Sequence, residues 1–570
     1  MLPKEVYDVA IIGGGPGGAT CAGMLRKYAP ELKVCVLEAA KFPREHIGES
    51  QLPPVTRVLN ELGCWDKVEA EGYPVKIGAV YRWGTTDDTW NFDFLAGAPY
   101  DNLPRPGKLE GQRWETTFHV ERATFDKIVL DHVKEMGATV YEETRVTKIL
   151  KADDSVAGLV AKGPDGEKEI EAKYYVDASG HVGALRKAMG VAVDEPTSLK
   201  NVAFWNYWEK EEWADMEHIG WGGVQVRVMC IGSGWIWFIP LSPTRTSVGF
   251  VTHANHYKAS GMRPEEMYNH ALQSEPRIRE LLEGAKVTGT FSSTKDWSFL
   301  AERMAGENWM LVGEAGGFAD PILAGGMTLT MTGAREAAYI LISILRGEQK
   351  PQWLKDYYDE SQKRRIGQHI RFADFWYSAN THFTELKEYT TKIAADAGLD
   401  LDPEAGFRWL AAGGFAGDDL SSPIVGVYRL GAAKILLSVL TGKKESWKIN
   451  EYNVFKLDTK GAKLVDQPYF FEGTITRAQC YTRDKKILPL VGIYRLVVEV
   501  LLRESDAARA MTAIQGFIQQ NMREDPEAAM RGAIDAIEAM IAEGWIMPSV
   551  NPDRPLLGID FERTVEQVHR

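Results

Sequence analysis

The sequence predicts an α/β protein: a dinucleotide-binding, Rossmann-like domain at the N-terminus, an inserted antiparallel-sheet region, and a mostly helical C-terminal domain. Three observations carry this. A β-branched run ends at a glycine-rich turn, opens a helix, and returns to a second apolar run that ends in an acid. Between about residues 190 and 300, four segments alternate apolar and polar as antiparallel strands do. After Glu348 strand signals thin out and helical spacing dominates. The expected division is therefore a dinucleotide-binding module over residues 1–349, with its sheet-rich region at about 190–300, and a helical domain over 350–570.

The elements follow in order. Val6 to Ile12 is a short buried parallel strand, Gly17 to Tyr28 a helix, and Val34 to Leu37 a second strand. Lys76 to Trp83 suggests another strand, and Arg122 to Met136 has helical spacing. Thr139 to Val140, Arg145 to Lys151 and Tyr174 to Val176 are short strands. Val202 to Trp208, Val224 to Cys230, Trp235 to Ile239 and Thr246 to Thr252 form the antiparallel region. Trp309 to Val312 returns to a buried strand, followed by a helix from Gly326 to Leu345. Trp353 to Arg365 and Glu527 to Ala542 are helical patterns of the C-terminal part.

Composition excludes several classes. At 570 residues the chain exceeds one ordinary core, so two or three packed units are expected. A net charge of -13 argues against nucleic acid as a partner, because phosphate binding wants a basic face. Cys21, Cys35, Cys64, Cys230 and Cys480 are scattered and form no CxxC pair, so neither a disulfide framework nor a metal site is expected. No signal peptide precedes the first strand, and no apolar run approaches the ~18 residues of a membrane span. A cytoplasmic location is expected.

Gly13-Gly14-Gly15-Pro16-Gly17-Gly18 satisfies G-x-G-x-x-G. Gly13 permits the tight turn, Gly15 lets a pyrophosphate approach the backbone, and Gly18 lets helix and strand pack closely. The helix N-terminus then offers free N–H groups and a positive dipole end. Glu38, 20 residues after Gly18, can accept from ribose hydroxyls. This motif alone does not separate FAD from NAD.

Further segments decide. Phe42-Pro43-Arg44-Glu45-His46-Ile47-Gly48-Glu49-Ser50-Gln51-Leu52-Pro53, Arg122-Ala123-Thr124-Phe125-Asp126, Asp177-Ala178-Ser179-Gly180 and Gly313-Glu314-Ala315-Gly316-Gly317-Phe318-Ala319-Asp320-Pro321 are widely separated. Together with Trp235-Ile236-Trp237-Phe238-Ile239-Pro240, over roughly residues 5 to 345, they resemble the flavin-dependent halogenases. That family lies within the group that includes flavin hydroxylases and geranylgeranyl reductases. The resemblance implies FAD, used as FADH2. Arg44, Gly48 and Ser50 would lie along the cofactor and Arg122 would reach it. Gly313, Glu314 and Pro321 would border it, and Gly326 would open a helix pointing at the flavin.

The resemblance also implies a reaction: FADH2, O2 and a halide ion, chloride or bromide, would halogenate a small electron-rich aromatic substrate, free or carrier-bound. Halide would sit at Gly325 and Gly326, whose N–H groups suit an anion. Lys76 matches the family's active-site lysine and would deliver the halogen. Trp235 and Trp237, on one face of a strand, would keep the substrate off the flavin. Only one dinucleotide fingerprint is present, so a separate flavin reductase would supply FADH2.

Three departures stand out. Glu314 replaces the usual aspartate, and in Ile322-Leu323-Ala324-Gly325-Gly326-Met327-Thr328 the hydroxyl residue usual just after Asp320-Pro321 is gone, although Thr328 is close by. Leu323 stands where tryptophan halogenases place a glutamate. The rival readings are a flavin hydroxylase, a flavin-dependent isoprenoid reductase, and a non-enzymatic FAD scaffold.

Overall fold

The computed structural model describes residues 2–94, 116–211, 224–295, 298–396, 434, 437, 440–442, 446–484, 486–521, 526–559 and 568–569. It divides into two compact units. The first takes in Met1–Trp83, Asp87–Leu399 and Phe470–Ile475, and the second Gly84–Thr86, Asp400–Tyr469 and Thr476–Arg570.

The first unit opens with β1 (Lys4–Ile12), α1 (Pro16–Tyr28) and β2 (Val34–Leu37). β1 pairs in parallel with β2, and Val9, Ala10 and Ile11 are fully buried, as a strand covered on both faces requires. Pro16 starts α1 at a position where no N–H is needed. Along the chain follow α2 (Pro53–Leu62), β3 (Val75–Arg82), β4 (Trp90–Asp93), β5 (Thr117–Phe118), α3 (Arg122–Glu135), β6 (Thr139–Tyr141), β7 (Arg145–Ala152), β8 (Ser155–Gly163) and β9 (Gly166–Asp177). The inserted region supplies β10 (Asn201–Glu209), β11 (Val224–Ile231), β12 (Gly234–Pro240) and β13 (Arg245–His253). β14 (Trp309–Leu311), α4 (Gly326–Leu345) and α5 (Pro351–Ser378) close the unit's main path.

Two sheets result. One has the order β6-β2-β1-β9-β8-β7, with β14 alongside β9. The other runs β10-β13-β12-β11-β3-β4, with β5 on β3. The link that matters for function is β3: it pairs in parallel with β11 and antiparallel with β5, so Lys76 enters the inserted sheet from the dinucleotide side.

The expected elements are found with end shifts of a few residues, and two differences are larger. Tyr174 to Val176 is the end of a longer strand, β9, which forms a hairpin with β8. Its half-buried Lys168, Glu169 and Glu171 and exposed Lys173 dilute the apolar signal. The second difference is the domain boundary. α5 packs into the first unit and buries Tyr358, Phe375, Trp376 and Tyr377, so that unit runs to Leu399 rather than ending at 349. In sequence its helical spacing is indistinguishable from that of the helices beyond it.

The second unit contains helices Gly492–Leu501, Ala507–Asn521 and Pro526–Ala542. It also has strands that the helical expectation omitted, including Val454–Leu457, Lys486–Pro489 and all of Thr474–Arg483 but its first two residues. Glu538 is fully buried here. It accepts from Lys434 Nζ at 2.5 Å and from the backbone N–H groups of Lys448 and Ile449, each at 2.9 Å. No helix among the described residues is long and apolar enough to cross a membrane.

Candidate active site

The glycine turn has the shape its spacing implies. Gly13 sits at φ +102, and a Cβ there would lie 2.4 Å from the Ala178 carbonyl oxygen. A Cβ on Gly18 would lie 1.9 Å from the Gly13 carbonyl oxygen, so both positions require glycine. At Gly15 the would-be Cβ meets only the Arg44 guanidinium, at 3.2 Å. The N-terminus of α1 and a cation therefore border one open cradle, which suits a pyrophosphate. Glu38 accepts from Gly14 N–H and Ala40 N–H, both at 2.7 Å. Each carboxylate oxygen retains a lone pair for a hydroxyl donor.

Arg122 is held by hydrogen bonds within the protein. Its Nε and Nη2 bond Asp126 at 2.7 and 2.9 Å, and Nη1 bonds the Ile47 carbonyl at 2.6 Å. It thus positions the Phe42–Pro53 segment, whose Gly48 adopts φ +99 with a would-be Cβ 3.1 Å from Arg122 Nη1. Arg44 lies 3.7 Å from the same Asp126. Asp177 closes its turn by accepting from Ser179 N–H at 3.1 Å and Leu185 N–H at 2.7 Å. Burial raises the pKa of Glu314, and the positive charge of Arg122 opposes that shift. Gly313 is held at φ +61 against Thr330. These residues fit FAD: an open cradle, a cation beside it, and a Ser50 hydroxyl that is buried without a partner on the segment leading from it.

Pro321 begins a one-turn helix, Pro321–Leu323, and Ala324 then adopts the left-handed conformation at φ 54, ψ 27. Gly325 follows in the right-handed region at φ -78, ψ -16, and Gly326 starts α4. A left-handed residue followed by a right-handed one turns successive N–H groups to one side, a concavity that suits an anion.

Lys76 is a strongly perturbed group. It is 2% exposed, its Nζ donates to the Gln51 carbonyl at 2.8 Å, and it stands 5.4 Å from the Phe94 ring. Burial alone pushes its pKa down to about 7. His119 lies beside it, 0% exposed, with Nδ1 3.0 Å from the Pro240 carbonyl. Burial and the Lys76 charge hold His119 neutral. Because a carbonyl only accepts, Nδ1 carries the proton and Nε2 is an acceptor.

The strand pairings explain the grouping. Lys76 opposes Thr117, and Ser50 opposes His119 across an isolated bridge. Alternation along the chain puts Thr117 and His119 on one face. Glu49 Oε2, Ser50 Oγ, Gln51 Nε2, His119 Nε2 and Thr246 Oγ1 are buried with no hydrogen-bond partner among the described residues. Burial pushes the Glu49 carboxyl up to about 7. Each such orphaned polar atom calls for an explanation, and a polar ligand bound in the functional state supplies one.

Trp235 and Trp237 stand on β12 with ring centroids 6.0 Å apart, both buried. Trp235 Nε1 donates to the Tyr377 hydroxyl at 2.7 Å, and that hydroxyl lies 3.2 Å from Asp320 Oδ1. Trp237 Nε1 donates to Ser247 Oγ at 3.2 Å. Its ring lies against Gly249, where a Cβ would come 2.1 Å from Cζ2. The tryptophan pair is thus a rigid wall tied to α5. The structure adds residues that sequence reasoning left out: Glu49, Gln51, His119, Tyr377 and His369. Glu49 and Gln51 lie inside the segment already singled out, and His119 stands three residues before Arg122. Tyr377 and His369 lie on a helix assigned to another domain.

A family model described as an FAD binding domain matches residues 6–373. A 1H-pyrrole-2-carbonyl-[peptidyl-carrier protein] chlorinase of Pseudomonas fluorescens is 29% identical over 388 residues, covering 66% of this chain and 85% of that protein. A tryptophan 2-halogenase of Chondromyces crocatus is 32% identical over 378 residues, covering 65% and 67% respectively. Among solved structures, the myxobacterial chondrochloren halogenase CndH superposes with a TM-score of 0.59 at 27% identity, over 77% of this chain and 97% of that one. The flavin-dependent halogenase CmlS gives a TM-score of 0.71 over 97% of this chain and 99% of that one. At 21% identity this second likeness is one of fold, and it extends past the segments that carry the sequence resemblance.

Proposed function

The chain belongs to the flavin-dependent halogenases, and from that premise we propose that it halogenates an electron-rich aromatic molecule, free or held on a carrier protein. Bound reduced FAD supplies, with O2 and halide, the oxidising chemistry that yields hypohalous acid. A separate flavin reductase provides the electrons.

The carrying observation is the Lys76 chamber. An ammonium buried without a carboxylate partner is costly, and its basicity falls until it titrates near neutrality. Such a lysine in a cleft is a functional group first and a structural one second. Protonated, it donates to the oxygen of hypohalous acid and makes the halogen more electrophilic. Neutral, it takes the halogen as a haloamine and releases water. Its Nζ donates one hydrogen to the Gln51 carbonyl, which fixes where the nitrogen stands. His119 Nε2 and Glu49 are the acceptors placed to take the proton that the ring loses. They stand in for the glutamate that Leu323 replaces.

Gly13, Gly15, Gly18, Glu38, Arg44, Gly48 and Ser50 hold the cofactor in this reading, with Gly313, Glu314 and Pro321 along its far side. Arg122 acts by positioning the Gly48 segment. Trp235 and Trp237 separate the two reacting partners, and Gly325 and Gly326 take the halide. The test is Lys76→Met in the FAD-loaded protein supplied with reductase, NADH, O2, bromide and a phenol. Flavin reoxidation continues and bromophenol is lost. Bromophenol formed at the wild-type rate overturns the role of Lys76.

A further inference from the structure

We propose that His369 is the halide's proton-carrying partner: its protonated Nε2–H completes an anion pocket with the backbone N–H groups of Gly325 and Gly326 and the Thr328 hydroxyl. Halide then enters as a proton–halide pair. This rests on the placement of halide at the Gly325–Gly326 turn.

The turn and α5 meet closely. A Cβ on Gly325 would lie 2.9 Å from His369 Cδ2 and 3.2 Å from Nε2, so the imidazole edge rests against the glycine. His369 is 4% exposed, and its Nδ1 donates to the Arg365 carbonyl at 2.9 Å. A carbonyl cannot donate, so Nδ1 keeps its hydrogen in both charge states and Nε2 is the titrating atom. Nε2 has no partner among the described residues, and neither does the Thr328 hydroxyl, 5% exposed in the first turn of α4. Two orphaned buried polar groups thus border a turn whose Ala324–Gly325 conformation already favours an anion. The helix behind it, α4, has 20 residues, which gives a full dipole at its N-terminus.

The surrounding charges fit the assignment. From α5 itself, Arg365 faces His369, and Arg365 is tied to Glu336 of α4 at 2.5 and 2.9 Å. On the turn side, residues 321–330 contain no ionisable side chain. Asp320, just before, engages Asn201, Tyr377 and the Ile322 N–H. Burial and the Arg365 charge lower the pKa of His369 to about 4 in the absence of an anion. A halide against Nε2 opposes both effects and draws the proton on. By linkage, halide binding takes up as much as one proton, and affinity falls as pH rises, by as much as tenfold per pH unit.

The experiment is bromide binding to the FAD-loaded protein between about pH 5 and pH 8, followed by flavin absorbance and by calorimetry in two buffers of different ionisation enthalpy. Wild type shows weakening affinity with rising pH and uptake of up to one proton per bromide. His369→Gln, whose amide N–H donates at every pH, binds bromide with no pH dependence and no proton uptake. Thr328→Val weakens bromide in both backgrounds. A pH slope that persists in His369→Gln and vanishes in Lys76→Met overturns the assignment and leaves the halide turn intact. Bromide affinity unchanged by both Thr328→Val and His369→Phe overturns the turn itself. FAD stoichiometry, measured on every variant, shows that each is folded.

Discussion

Replacing Lys76 by methionine should stabilise the protein while abolishing halogenation. The magnitude follows from the shift. A lysine that titrates near 10.5 in the unfolded chain and near 7 in the fold resists protonation when buried. At pH 7 the unfolded chain holds the proton almost fully and the folded chain about half, so burial costs about 4 kcal/mol at 1.36 kcal/mol per unit. Between pH 7 and pH 10.5 the unfolded chain binds more protons, so wild-type stability rises with pH, and the penalty is gone above 10.5. Below pH 7 the full penalty applies. The Lys76→Met variant carries no such penalty, and its thioether side chain fills much of the space of the lysine stem. The assay is equilibrium urea unfolding of both proteins between pH 7 and pH 10. The difference should be about 2–4 kcal/mol in favour of the variant at pH 7 and should shrink by roughly 1 kcal/mol per pH unit. A variant less stable than wild type, or a difference independent of pH, would refute the claim that Lys76 is a strained, functionally retained cation.

Other expectations follow from the same contacts. Gly13→Ala drives a Cβ to 2.4 Å from the Ala178 carbonyl, so FAD content measured by absorbance should fall well below one per chain. Tyr377→Phe strands Trp235 Nε1 in a buried site, and urea unfolding should show a loss of about 1–3 kcal/mol. Glu538→Ala leaves Lys434 buried without this carboxylate in the second unit, with a loss of about 3–5 kcal/mol by the same measurement.

The glycine turn, β1, α1, β2 and the inserted strands were legible because local periodicity and turn chemistry alone specify them. Lys76 was singled out through its place among the family's segments, and the structure shows it buried. What surrounds Lys76 was not. His119 and Gln51 come to it through a short strand and an isolated bridge, and no spacing rule predicts such pairings. Arg122 was readable as important, but its partners are set by Asp126 one turn along the helix and by the Ile47 carbonyl. α5 was assigned to the wrong side of a boundary because a buried helix of the first unit and the helices of the second share the same period. That assignment hid His369 and Tyr377, which reach the Gly325 turn and Trp235 only in three dimensions. The β8–β9 hairpin was missed for the opposite reason: its outer faces are too polar to register as strand.

The central claim is that halogen, and not oxygen, reaches the substrate. Mass spectrometry of the phenol after reaction with the FAD-loaded protein, a flavin reductase, NADH, O2 and bromide tests it directly. A product with the bromine isotope doublet, absent when bromide is omitted, is the predicted result. A hydroxylated product that forms equally well without bromide would contradict it.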